Sequence, residues 1–275
     1  MDQILPPQTT PQHYANGKML APAAGGVGRI TFKQPEKRNA MSVEMWDGMT
    51  TILDAWENDP AIRVVILTGA GDKAFVSGAD ISQFGKSRSN AEAQKEYDKL
   101  TSAGRRKLAA FEKPVIARIQ GFCLGGGLGI AMQADLRIAS ATSAFGIPAA
   151  KLGIAYGFDM VTRLIGLVGH AHARTLLFTG ERIDAAEAAR IGLVNQIVPE
   201  DALDATVDTI AQGIAGNAPL SVKGMKFILA QALRDPAERD MPGVLNAISA
   251  CFDSADYTEG RTAFMEKRKP AFQGR

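Results

Sequence analysis

The sequence predicts an α/β core with mainly parallel strands, followed by an all-helical tail. Three observations carry that expectation. Over residues 17–200, short β-branched runs alternate with helical stretches, which argues parallel pairing because parallel neighbours need a crossover between them. After Pro199 the strand signals stop and helical spacing takes over. The length of 275 residues suits one large domain with a smaller appendage and buries a sizeable core.

Residues 1–16 (MDQILPPQTTPQHYAN) mix Pro, Gln and Thr without periodicity and read as a flexible arm. Gly28–Lys33 (GRITFK) reads as a strand. Ser42 suits the N-cap of an amphipathic helix that runs through about Asn58 and is ended by Asp59-Pro60. Val64–Gly69 (VVILTG) is a β-branched run of the kind buried on both faces. Asn90–Glu112 carries helical spacing through Leu100, Leu108 and Phe111. Pro114–Ile119 (PVIARI) is a second buried strand, followed by a glycine-rich turn and a helix to about Gln133. Leu136–Ala139 and Leu193–Val198 are further short strands. Residues 200–217, 219–233, 237–250 and 256–268 read as helices, with breaks at Pro219, Pro236 and Pro242. The chain divides into the arm (1–16), the core (17–200) and a helical C-terminal domain (201–275).

Composition narrows the function. The chain is 46% apolar and 22% charged, which excludes wholesale disorder. Its net charge of +2, with no basic block longer than Lys267-Arg268-Lys269, gives a nucleic-acid surface no support. The central stretch between Gln120 and Gln133 is too short to span a bilayer. The N-terminus has Asp2 and Pro6-Pro7 where an export signal would have a basic segment and then an apolar one. Cys123 and Cys251 lie in apolar settings and read as buried thiols, so a cytoplasmic protein is expected, with no membrane or nucleic-acid partner. The 28 glycines cluster, as they do where backbone must approach something closely.

Several familiar motifs fail on inspection. Asp80–Ser87 (DISQFGKS) ends like a phosphate-binding loop, but Asp80 stands where that loop needs its first glycine and would repel phosphate. Gly25–Gly28 and Gly125–Gly129 both miss the third glycine of a dinucleotide fingerprint. His170 and His172 have no carboxylate or thiol company and read as helix-surface residues, so no metal is expected. A G-x-S-x-G elbow is absent.

Two segments stand out. Lys73–Ile81 (KAFVSGADI) follows the strand that ends at Gly69, and Gly121–Gly129 (GFCLGGGLG) follows the strand that ends at Ile119 and opens a helix. Small residues where parallel strands end let backbone N–H groups approach a ligand, and a helix N-terminus adds free donors. Two such donors on one oxygen would make an oxyanion hole. Tight turns and close packing would explain the same glycines equally well.

In this order and about 45 residues apart, these loops resemble those of the crotonase family, the enoyl-CoA hydratase/isomerase superfamily. The resemblance runs on through Pro35–Ala40 (PEKRNA), Asp135 with ADLRIAS, Phe145–Pro148 (FGIP), Leu152-Gly153, Leu177–Gly180 (LFTG), Ala185–Pro199 and Ala263–Pro270. It implies a crotonase-type spiral of ββα turns with a C-terminal helical domain that packs into trimers or dimers of trimers. It also implies an acyl-CoA substrate and no cofactor, since CoA enters as part of the thioester. Carried over by position, the N–H groups of Ala79 and Gly126 would form the oxyanion hole. Lys37, Ala40, Lys73, Ser77, Asp80, Ile81 and Gly125 would lie along CoA, and Phe264 and Lys267 would approach it from the C-terminal helix, of the same or a neighbouring subunit.

The sequence departs from the hydratases of that family at two points. Their two glutamates fall at Gly129 and Ala149, so both carboxylates are missing. Adding water needs a base and a proton donor as well as an oxyanion hole, and losing one positioned acid or base typically costs 10²–10⁴ in rate. Ordinary hydration is therefore not expected. Leu152–Asp159 (LGIAYGFD) resembles the methylmalonyl-CoA decarboxylase branch, with Tyr156 at that branch's tyrosine. Loss of CO₂ makes the enolate without a base, and a second carboxylate would only repel the substrate's. Tyr156 reads as an acid or as a wall of the acyl pocket, and Asp159 as an acid or as the N-cap of the helix from Met160. Asp80 and Asp135 read as structural. A hydratase/isomerase-type lyase using other groups and a decarboxylase-like enzyme stand level. A CoA-thioester-binding protein without catalysis is the non-enzymatic alternative.

Overall fold

The computed structural model describes residues 12–80, 82 and 91–275. Of the 1–16 segment, residues 1–11 lie outside it, whereas β1 (His13–Tyr14) is paired with β2 (Met19–Leu20). β2 and β3 (Ala23–Ala24) both pair antiparallel with β4 (Val27–Phe32), and α1 (Val43–Glu57) follows.

From there the chain repeats one pattern: a strand in a large sheet, a short strand in a second sheet, then a helix. The turns are β5 (Val64–Gly69), β6 (Ala74–Val76) and α2 (Ala91–Ala110); β7 (Val115–Ile119), β8 (Phe122–Leu124) and α3 (Gly126–Gln133); β9 (Leu136–Ser140), β10 (Ala144–Gly146) and α4 (Phe158–Thr179). After β11 (Arg182–Asp184) and α5 (Ala185–Arg190), β12 (Gln196–Val198) closes the large sheet, in which β4, β5, β7, β9 and β12 run parallel in that order. In the second sheet β6, β8 and β10 are parallel neighbours and β11 is antiparallel. The mixed α/β spiral with a helical C-terminal region is thus the crotonase-type fold that the sequence predicts.

The continuous apolar runs at β5 and β7 have a direct cause, since both strands are covered on both faces. Val65, Leu67, Val115 and Ala117 enter the main core with Met45, Met49, Ile52 and Leu53 of α1. Val64, Ile66 and Ile116 pack instead against Leu203, Val207 and Ala211 of α6 (Leu203–Ala215). Beyond α6 come α7 (Pro219–Ala232), α8 (Met241–Phe252) and α9 (Ala255–Glu266). The prolines expected to break helices begin them: Pro219 and Pro242 sit in the first turns of α7 and α8, and Pro236 opens a 3-10 turn. A first-turn N–H has no helical partner to lose, so proline is tolerated there.

The helical tail is anchored by partly buried polar contacts. Lys226 Nζ of α7 donates to Asp135 Oδ2 and to Lys113 O, both at 2.8 Å, and Asp135 Oδ2 also accepts from Val115 N at 2.7 Å. Arg63 donates to Ala215 O and Phe272 O. Asp135 is therefore structural, tying the start of β7 to α7. Asp135→Ala, which strips the acceptor from a backbone N–H and a partner from Lys226, is expected to cost ~1–3 kcal/mol in denaturant unfolding. Lys226→Met, which spares the Val115 bond, should cost less.

Candidate active site

The two glycine-rich loops leave the second sheet at one edge, because β6 and β8 lie side by side in parallel, with Ala74 against Phe122 and Val76 against Cys123. The approach is close enough to exclude side chains. A Cβ on Gly127 would lie 2.0 Å from Val76 O, and one on Gly121 would lie 2.2 Å from Lys73 O. Glycine at these positions lets backbone meet backbone.

Beyond β6, Met41 N donates to Gly78 O (2.8 Å) and Asp80 N donates to Met41 O (2.9 Å). Successive peptide groups of extended chain alternate sides, so the Ala79 N–H between them faces away from Met41. Gly126 is the first residue of α3, where N–H groups have no helical acceptor and the helix dipole is positive. A Cβ built on Gly126 would lie 3.7 Å from Ala79 N, so the two loops meet at these residues. Neither N–H has an acceptor among the described residues. Such a pair can hold an oxygen that carries developing negative charge.

Lys37 and Asp80 sit behind this point. Lys37 Nζ donates to Asp80 Oδ2 at 2.8 Å and to Ser82 Oγ at 3.0 Å, while Asp80 Oδ1 accepts from Ser82 N and Oγ. Burial pushes the Asp80 carboxyl up, but the Lys37 ammonium and the Ser82 donors outweigh it and hold the group below the usual range. Ser77 is bound to the same segment, its N–H donating to Arg38 O at 3.1 Å. Ala40 is buried and its carbonyl accepts from Gln34 Nε2, whereas the Lys73 side chain is exposed at a cleft shared with Arg38. Ile81 lies outside the described residues. Phe264 and Lys267 are not brought to the loops: both are exposed at the end of α9, and Phe264 lines a separate cavity of about 520 Å³ with Phe252, Tyr257 and Phe272.

The ground around Gly129 is occupied. A Cβ there would lie 2.6 Å from Met160 Sδ and 3.2 Å from Tyr156 Oη. Tyr156 is half-buried and its hydroxyl donates to Gly125 O at 2.9 Å. Burial pushes its pKa up, against a smaller opposing pull from Arg105, so it remains a protonated donor at neutral pH. Ala149 lies in the 3-10 turn Pro148–Leu152, partly buried against the core. Asp159 is not an N-cap: α4 starts at Phe158 with Gly157 as its cap, which puts Asp159 inside the first turn. There Arg105 Nε donates to Asp159 Oδ2 at 3.3 Å. Arg105, 7% exposed on α2, belongs to no motif in the sequence. Its signal was a charge on the buried stripe Thr101, Arg105, Leu108. Among the described residues no group of three His, Cys, Asp or Glu could hold a metal ion.

Residues 23–275 match the family model described as enoyl-CoA hydratase/isomerase. The chain is 41% identical over 245 residues to a short-chain-enoyl-CoA hydratase of Clostridium acetobutylicum, covering 89% of this chain and 93% of the relative. It is 41% identical over 247 residues to a crotonyl-CoA hydratase of Syntrophomonas wolfei, covering 88% and 93%. A crystal structure of an enoyl-CoA hydratase/carnithine racemase from Magnetospirillum magneticum superposes with a TM-score of 0.91 at 35% identity, covering 98% of this chain and 97% of that one.

A depressed carboxyl adds stability that is complete above the unfolded group's ordinary pKa of about 4 and fades as pH falls through the folded value. Asp80→Asn should therefore cost ~1–3 kcal/mol at pH 7, and the deficit relative to the parent protein should begin to narrow in denaturant titrations only once pH falls below about 4.

Proposed function

The chain belongs to the enoyl-CoA hydratase/isomerase family, and we propose that it acts on an acyl-CoA thioester by holding the thioester oxygen between the N–H groups of Ala79 and Gly126. The observation that carries this reading is the meeting of two donors from separate loops, neither with an acceptor among the described residues. Changing bonds at the α-carbon pushes charge onto that oxygen, and preorganised donors stabilise it without reorganising during the reaction. Lys37, Ala40, Lys73, Ser77, Asp80, Ile81 and Gly125 would flank the CoA portion. Phe264 and Lys267 would reach it from a neighbouring subunit, since in this chain they stand apart from the loops. Large exposed apolar side chains on α7–α9, among them Leu229, Leu245 and Phe252, support self-association, and the family resemblance makes a homotrimer or a dimer of trimers the expected form. Two unbridged cysteines fit a reducing, cytoplasmic setting.

Hydration by a pair of glutamates has no groups to perform it. Position 129 is glycine, with its surroundings filled by Met160 and Tyr156, and position 149 is alanine. The relatives named as hydratases favour a lyase or isomerase that works with other groups, Asp159 first among them. Decarboxylation is the second reading. It is favoured by the absence of both carboxylates, since loss of CO₂ makes the enolate without a base.

The test is crotonyl-CoA hydration run beside methylmalonyl-CoA and malonyl-CoA decarboxylation, with products identified by mass. Fast hydration would make Asp159→Asn the next variant, and CO₂ loss without hydration would establish the second reading. Thermal stabilisation by acyl-CoA with no turnover would leave a binding protein. Gly126→Pro removes one donor at a helix position that tolerates proline, so kcat is expected to fall about 10²–10³-fold with circular dichroism unchanged. Light scattering on the purified chain should report three or six subunits.

A further inference from the structure

We infer that Tyr156 is a positioning residue for the oxyanion-binding peptide, acting on the Gly126 N–H through the Gly125 carbonyl of the same peptide unit. The inference rests on the reading of Gly126 as an oxyanion donor and gives Tyr156 a role other than proton donor or pocket wall.

The geometry runs in one line. Tyr156 Oη donates to Gly125 O at 2.9 Å, and Gly125 O belongs to the planar amide whose nitrogen is Gly126 N. The same oxygen accepts from Gly129 N at 3.0 Å, and Gly125 N is fixed by donation to Gly146 O at 2.9 Å. This amide is therefore held at its oxygen by two donors, and at φ +50°, ψ −117° Gly125 holds a backbone conformation that side-chain-bearing residues rarely adopt. Amide resonance couples the two ends of the group. A donor on the oxygen draws charge from the nitrogen and makes its N–H a stronger donor, and chains of hydrogen bonds reinforce one another in this way. As charge grows on the thioester oxygen, the Gly125 carbonyl becomes a better acceptor, so the tyrosine bond tightens when the oxyanion needs it.

The chain also shows why the tyrosine can be there. A Cβ at position 129 would stand 3.2 Å from the hydroxyl and 2.6 Å from Met160 Sδ, so a glutamate at this place would press on both side chains. The glycine at 129 and the tyrosine at 156 are one arrangement: the space left by the first admits the second. With its proton committed to Gly125 O, the hydroxyl cannot protonate a substrate carbon without giving up this bond.

The experiment is isotope-edited infrared spectroscopy of butyryl-CoA labelled with ¹³C at the thioester carbonyl, bound to the intact protein. The parent protein should lower the carbonyl stretch from its free value, and Gly126→Pro should remove much of that shift. Tyr156→Phe should lose part of it while butyryl-CoA affinity stays within about threefold. On the substrate turned over in the panel above, kcat should fall roughly 3- to 10-fold with KM little changed, the size of one modest hydrogen bond. Should Tyr156→Phe not fold, fluorotyrosine placed at 156 keeps the shape and strengthens the donor, and the shift should then deepen. A shift unchanged in Tyr156→Phe or in the fluorotyrosine protein overturns the inference and leaves the oxyanion reading standing. No shift in the parent protein, with butyryl-CoA bound, overturns the oxyanion reading itself. A loss of more than 100-fold in kcat with the shift intact and the alkaline limb of the pH profile gone makes Tyr156 a proton donor, which also overturns the inference.

Discussion

The close approach of the β6 backbone to its glycine-bearing neighbours is the constraint on which the site depends. Val76 O occupies the place of a Cβ on Gly127, and Lys73 O that of a Cβ on Gly121. Larger residues there would push β6 away from β8 and α3, and the Ala79 and Gly126 backbones would no longer meet. Asn39 serves the same end from the other side. It is fully buried, accepts from Gln34 N, and donates to Ala70 O and Ala74 O at 2.9 and 2.8 Å. One side chain thus fastens the 34–41 segment, the exit of β5 and the start of β6 together.

The electrostatics of the site follow from that backbone construction. The Ala79 and Gly126 N–H groups are neutral peptide donors, the second reinforced by the dipole of α3, and the full charges stand around them in pairs. Lys37 and Asp80 compensate one another while fixing the loop that carries Ala79. Arg105 and Asp159 do so beside Tyr156, with the guanidinium buried and the carboxylate 44% exposed. On the proposed reading, such a site would stabilise an enolate with few groups able to move protons.

The spiral explains how one chain can bring such distant segments together. Each turn places a strand in the large sheet and then a three-residue strand in the second sheet, where the loops begin.

Read alone, the sequence determined the parallel α/β core, the helical tail and the two loops. Each of these is written in local signals: two-sided apolar runs at 64–69 and 115–119, helical spacing after Pro199, and clustered glycines where strands end. It also determined that no carboxylate stands at 129 or 149. The second sheet was not legible, because strands of three residues are too short to show a period. Asp159 was misplaced as a cap because the helix began at Phe158, upstream of the apolar run that suggested its start. Tertiary structure decided the rest. Tyr156 reaches Gly125 across 31 positions, and Arg105 reaches Asp159 across 54. Periodicity reports which face of one element is buried, and it is silent on which residue of another element that face will meet.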